Sequence, residues 1–138
     1  MDGMYESRVW MMFFEDLSPY SYSPSTVPMV NVGWLGRGYT FEEGVPDTDL
    51  VAALKRLAIN PPNLMRGLHD CEFCDVESPI VVEYPDVTIY LGSGEIHVRS
   101  KSGVVYAAPT LIAHYVEAHS YLPPASFVDA VRVAIDQV

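Results

Sequence analysis

At 138 residues, the chain is long enough for one domain with a substantial core, and 49% hydrophobic against 19% charged residues excludes wholesale disorder. Eighteen acids against eight bases give a formal charge of -10, which argues against partners held by phosphate neutralisation, so neither nucleic acid nor an anionic membrane is expected. The longest apolar run near the start, Val9 to Phe14, meets Glu15-Asp16 after six residues, too short to span a bilayer and without the basic flank or cleavage site of an export signal.

A soluble, cytoplasmic protein is therefore expected. Residues 1–11 are expected to form a loose leader and residues 12–138 a single domain. Three prolines, Pro19, Pro24 and Pro28, block helix between Ser18 and Pro28 and predict an irregular loop. Val30 to Leu35 is a short strand candidate closed by Gly36-Arg37-Gly38, with Trp34 expected in the core.

The first helix is expected from about Thr48 to Ile59. Asp47 or Thr48 caps it, Leu50, Val51, Leu54, Leu57 and Ala58 recur on one face, and Asn60-Pro61-Pro62 stops it. Lys55 and Arg56 fall on the solvated side.

After Cys74 the hydrophobic period changes from 3.6 to 2. Ile80, Val82 and Tyr84 alternate up to Pro85-Asp86, then Val87, Ile89 and Leu91 up to Gly92-Ser93-Gly94. Ile96 and Val98 then alternate with Glu95, His97 and Arg99, Lys101-Ser102-Gly103 turns the chain, and Val104 to Ala108 closes the series. This pattern predicts an antiparallel meander of three to four strands with one face buried, His97 pointing away from that face. Pro109 fits a first helical position, so a second helix is expected from Thr110 to about His119. A third begins near Pro124, with Phe127, Val128, Val131, Ala134, Ile135 and Val138 on one stripe. The fold class is thus α+β, the meander being flanked by about three helices.

Two sets of side chains carry chemistry. His69-Asp70-Cys71-Glu72-Phe73-Cys74 holds both cysteines, and His114 and His119 lie on the second helix. Thiols two residues apart let one turn deliver two sulfurs to one ion, and two imidazoles complete the tetrahedral donor set that zinc prefers. Cys71, Cys74, His114 and His119 are the candidate Zn(2+) ligands, linking the C-x-x-C loop to a helix. On a regular helix the two histidines point about 140° apart, so both reach one ion only if the helix ends near His119. His69 is the alternative fourth ligand.

Catalytic signatures are missing. The zincin motif needs His-Glu-x-x-His, whereas Glu117 here sits within a five-residue step, and the zinc deaminase motif needs His-x-Glu ahead of Pro-Cys-x-x-Cys. The C-x-x-C pair follows a helix and a loop, not the strand-to-helix context of a thiol redox centre. No Gly-x-Ser-x-Gly elbow occurs. No catalytic residue is assigned, and a non-enzymatic protein with a structural zinc, acting through an unknown protein partner, is the expectation. The alternative is a metal-dependent hydrolase using the same ion with an open position.

Several phrases carry a family resemblance: Phe13-Phe14-Glu15-Asp16-Leu17-Ser18-Pro19-Tyr20, Asn31-Val32-Gly33-Trp34-Leu35, Arg66 to Cys74, Leu91 to Val98, and Tyr106 to Val116 followed by His119 and Pro123-Pro124. In these the chain resembles a family of small, uncharacterised bacterial proteins, a domain of unknown function, over nearly everything from residue 12 onward. The resemblance implies a stand-alone bacterial protein with a bound metal and brings no activity with it.

Overall fold

The computed structural model describes residues 13–21, 27–59, 61, 71–74 and 80–136; the expected leader and His69 lie outside the described residues. Five strands and three helices are present among the described residues, in the order β1 (Val30–Asn31), α1 (Thr48–Leu57), β2 (Ile80–Glu83), β3 (Thr88–Leu91), β4 (Glu95–Arg99), β5 (Val105–Pro109), α2 (Ile112–His119) and α3 (Ala125–Asp136). The class is α+β.

α1 forms where its pattern predicts. Asp47 caps it, accepting the Asp49 and Leu50 backbone N–H groups at 2.9 and 3.2 Å, a bond worth about 1 kcal/mol. Leu50, Val51 and Leu54 face the core, and α1 packs against both α2 and α3. Lys55 does not simply face water: its Nζ lies 3.1 Å from Glu117 Oε1 on α2.

The strands follow the expected sequence order but not one expected meander. β2 and β3 form a two-stranded hairpin across Pro85-Asp86, while β4 pairs antiparallel with β5 and β5 pairs parallel with β1. The Gly92-Ser93-Gly94 turn therefore links two sheets instead of closing a hairpin. Its polar groups explain the break: the Gly92 N–H donates to Thr110 Oγ1 at 2.8 Å, and the Thr110 N–H donates to the Gly94 carbonyl at 2.9 Å. These bonds dock the turn against the residues leading into α2. They also hold Thr110 outside the helix, and β4 pairing extends to Pro109, so α2 starts at Ile112 and not at Thr110.

The three-stranded sheet is covered on both faces, a second departure from the expected meander. Ile96, Val98, Tyr106 and Ala108 join the main core, where Tyr106 meets Phe127 of α3 edge to face. On the other face, Tyr20 packs over a small cluster of Met29, Val105 and Ala107. Glu95, expected to face water, is 0% exposed there. It survives burial because its carboxylate accepts the Tyr20 hydroxyl at 2.7 Å and meets His97 Nε2 at 2.7 Å. The covering segment is stitched to β1 by backbone bonds from Leu17 to the Asn31 carbonyl and from Tyr20 to the Met29 carbonyl. Period-2 alternation cannot report such a cover, because the segment that supplies it lies 75 residues upstream of Glu95.

Trp34 is buried as expected, its Nε1–H donating to the Ala107 carbonyl at 3.0 Å. Asp16 acts as a tie between three parts of the chain: Oδ1 accepts the Gly33 N–H at 2.9 Å and Oδ2 accepts the Tyr121 hydroxyl at 2.7 Å. Burial, then the adjacent Asp16 charge, push the Tyr121 phenol far above its ordinary range, so it remains a donor.

Candidate metal centre

The helix that carries the two histidines is short, running from Ile112 to His119. Ser120 closes it in the left-handed region at φ 59°, and the Tyr121 N–H reaches back to the Tyr115 carbonyl at 3.2 Å. This is the closing pattern of a helix that reverses its chain. Pairing of Tyr121 with Glu43, and the Leu122 N–H bond to the Glu42 carbonyl, then carry the chain away. The expected ending near His119 is thus realised at that residue.

The second half of the centre is the Cys71–Cys74 turn, which crosses the ends of the two imidazoles. Cys74 Sγ lies 3.4 Å from His114 Nε2, and Cys71 Sγ lies 3.3 Å from His119 Nε2. The two rings stand 5.0 Å apart between centroids at 75°. One donor atom from each of the four residues lies within 4.8 Å of the other three. Zinc–sulfur and zinc–nitrogen bonds of about 2.3 and 2.0–2.1 Å in a tetrahedron place neighbouring donors roughly 3.4–3.8 Å apart. The donor set and its spacing therefore fit a tetrahedral ion, and the four residues can hold a metal. Each thiol faces a different imidazole, which overcomes the angular separation of the two histidines along the helix: the turn spans the gap between them.

Three surroundings fix the four candidate ligands. Phe73, between the two cysteines, packs its ring 5.5 Å from Phe41, 5.9 Å from Tyr115 and 5.6 Å from His119. The Phe73 N–H donates to Cys71 Sγ at 3.4 Å. Arg37 grips Glu72, its guanidinium on the Glu72 carbonyl and its backbone N–H on the Glu72 carboxylate. None of these partners was singled out from the sequence, and only the Gly36-Arg37-Gly38 turn hinted that Arg37 is held in a fixed place. His97, bound to Glu95, stands outside the cluster.

Burial sets the protonation of the metal-free centre. Cys71, 9% exposed, has its thiol pushed from 9.0 up to about 11, chiefly by burial and further by Cys74. His114, 7% exposed, is lowered from 6.5 by burial and then by the neighbouring His119. In the metal-free fold His114 is neutral and Cys71 protonated near pH 7. A metal requires thiolate and neutral imidazole, so loading must expel the Cys71 proton. Without metal, the folded chain keeps the thiol proton longer than the unfolded chain, so that stability is full below about pH 9.0 and declines toward 11. The lowered histidine contributes stability that is present above pH 6.5 and is lost as pH falls. Metal affinity instead should climb through the neutral range, by about tenfold per pH unit for each proton released. Competition titrations between pH 6.5 and 8.5 check this, and a pH-independent affinity would mean that no thiol proton is displaced.

No curated protein and no solved structure matches the chain. Among the described residues no helix is long and apolar enough to cross a membrane. A family model matches residues 12–132, from the covering segment through the four-residue cluster to α3, and the chain belongs to that family, described as Domain of unknown function (DUF7919).

Proposed function

We propose that the protein is a structural zinc protein of the bacterial cytoplasm, in which Cys71, Cys74, His114 and His119 close a four-ligand site and tie the C-x-x-C turn to α2. The convergence of two thiols and two imidazoles within 4.8 Å carries the reading. Four protein donors fill a tetrahedral shell and leave no position for a reactive water, which favours a structural over a hydrolytic role. A hydrolase would need one of the four to stand off from the ion. A reducing compartment keeps both thiols available as ligands. Function then runs through a protein partner, for which exposed Tyr39 and Tyr90 and the acidic surface supply contact material.

Metal analysis of the untagged protein, purified without chelator, is the test. The expected content is one zinc per chain, with X-ray absorption giving two sulfur and two nitrogen neighbours. Cys71→Ser and His119→Ala should each lose the ion, whereas His69→Ala should keep it. A content well below one metal per chain overturns the reading, and an oxygen neighbour at the metal favours the hydrolase. Loss in His69→Ala with retention in His119→Ala would transfer the fourth position to His69.

A further inference from the structure

The turn that presents the two thiols is gripped by a residue far from it in sequence. Gly36-Arg37-Gly38-Tyr39 is a tight turn, with the Tyr39 N–H on the Gly36 carbonyl at 3.2 Å and Gly38 at φ 91°, a positive value that favours glycine at the third position. Arg37, thus held out, places Nε at 3.0 Å and Nη2 at 2.6 Å from the Glu72 carbonyl oxygen. Its backbone N–H adds a bond to Glu72 Oε1 at 2.7 Å.

The Glu72 carbonyl and the Phe73 N–H belong to one planar, conjugated peptide unit. That N–H is the group that donates to Cys71 Sγ at 3.4 Å. A cation on a peptide oxygen draws electron density toward the oxygen and makes the N–H at the other end a stronger donor, as in any polarised chain of hydrogen bonds. The sequence of contacts therefore runs from guanidinium to carbonyl, through the peptide to its N–H, and onto a ligand sulfur. Arg37 is exposed, where an ordinary ion pair contributes little. What sets it apart is that its main acceptor is the backbone of the ligand turn. Two thiolates also offset the charge of a divalent ion, so a cation nearby meets no net positive centre.

We infer that Arg37 is a positioning residue of the metal centre, acting on Cys71 through the Glu72–Phe73 peptide; this rests on the zinc reading above. It fixes the turn so that both sulfurs are in place before the ion arrives. It also strengthens the hydrogen bond to the Cys71 thiolate, lowering the electron donation of that sulfur to the metal. Groups hydrogen-bonded directly to metal ligands typically change metal affinity by about 10- to 100-fold; Arg37 acts one bond further out, through the Phe73 N–H.

Cobalt(II) serves as the probe. It is titrated into the metal-free full chain and then displaced by zinc ion in competition with a chelating dye. Arg37→Ala is expected to bind zinc about tenfold more weakly, the lower end of the usual range because the guanidinium faces solvent. Its sulfur-to-cobalt charge-transfer absorption should move to longer wavelength, since the Phe73 N–H that bonds the Cys71 sulfur becomes a weaker donor once the guanidinium is gone. Arg37→Lys, which can give the carbonyl one hydrogen bond but not two, should fall between. Glu72→Ala keeps the carbonyl contact and should keep the wild-type band position. Wild-type affinity with an unmoved band in Arg37→Ala overturns the inference. Weaker binding with an unmoved band overturns it too, because the arginine would then only anchor the turn. A wild-type chain that takes up no cobalt or zinc instead removes the metal centre itself, a distinct failure. Should Arg37→Ala not fold without metal, Arg37→Lys carries the same comparison.

Discussion

With zinc in the proposed site, its removal by a chelator should lower the thermal unfolding midpoint by roughly 12–16 °C. At free zinc about 1,000 times Kd, a site present only in the folded chain stabilises it by about 4 kcal/mol, and a domain of this size moves by about 3–4 °C per kcal/mol. The physical link is the position of the ligands. Cys71 and Cys74 come from a turn, while His114 and His119 come from α2, whose Ile112, Ala113 and Val116 are in the core. An ion joining them couples the turn to the core.

Cys71→Ser separates metal loss from side-chain loss. In chelator, wild type and variant should unfold within about 1 kcal/mol of each other, since a thiol and a hydroxyl differ little in size. In saturating zinc they should differ by most of the 4 kcal/mol, as the variant can no longer close the site. Scanning calorimetry under both conditions reads the difference. Equal midpoints for wild type with and without zinc would rule out a structural ion.

The second large effect is expected at Gly33, where Gly33→Ala should destabilise by roughly 3 kcal/mol. Two costs add. Gly33 has φ 79°, a left-handed value that costs a side-chain-bearing residue about 1–2 kcal/mol. A Cβ built there would lie 2.7 Å from Ile112 Cδ1 and 2.9 Å from Ile112 Cγ1, and relieving such overpacking costs about 1–3 kcal/mol. Ile112 is wholly buried, so it has little room to turn aside. Because Ile112 opens α2 two residues before His114, the displacement should reach the metal centre and weaken zinc binding as well. Urea unfolding of the metal-free protein measures the first effect without the second. A loss under 1 kcal/mol would mean that both the backbone and Ile112 relax at little cost.

Much of the local structure was legible in residue order. The 3.6 period with Asp47 ahead and the prolines behind marked α1, alternation marked β2 to β4, and the stripe from Phe127 to Ala134 marked α3. The four residues of the candidate metal cluster were legible too, because C-x-x-C and a histidine pair on a predicted helix supply the donor types that zinc prefers. The helix ending that brings His119 into reach was also foreseen, since Pro123-Pro124 limits how far α2 can run.

What only the tertiary structure decided is the set of contacts between segments far apart in the chain. Alternation along a strand says which side chains share a face, not which neighbouring strand they pair with, so the division into two sheets and the parallel β1–β5 pair were invisible. Glu95 looked solvated because no local signal announces that Tyr20 will cover it. Thr110 looked helical until its hydroxyl and N–H were taken by the Gly92–Gly94 turn. Around the metal centre the same division holds. The candidate ligand types lie in the sequence, because coordination chemistry is selective for donor atoms. Their partners Phe73 and Arg37 emerge only when folding brings residues 37, 72 and 119 together, because packing and peptide hydrogen bonds can be satisfied by almost any residue that arrives in the right place.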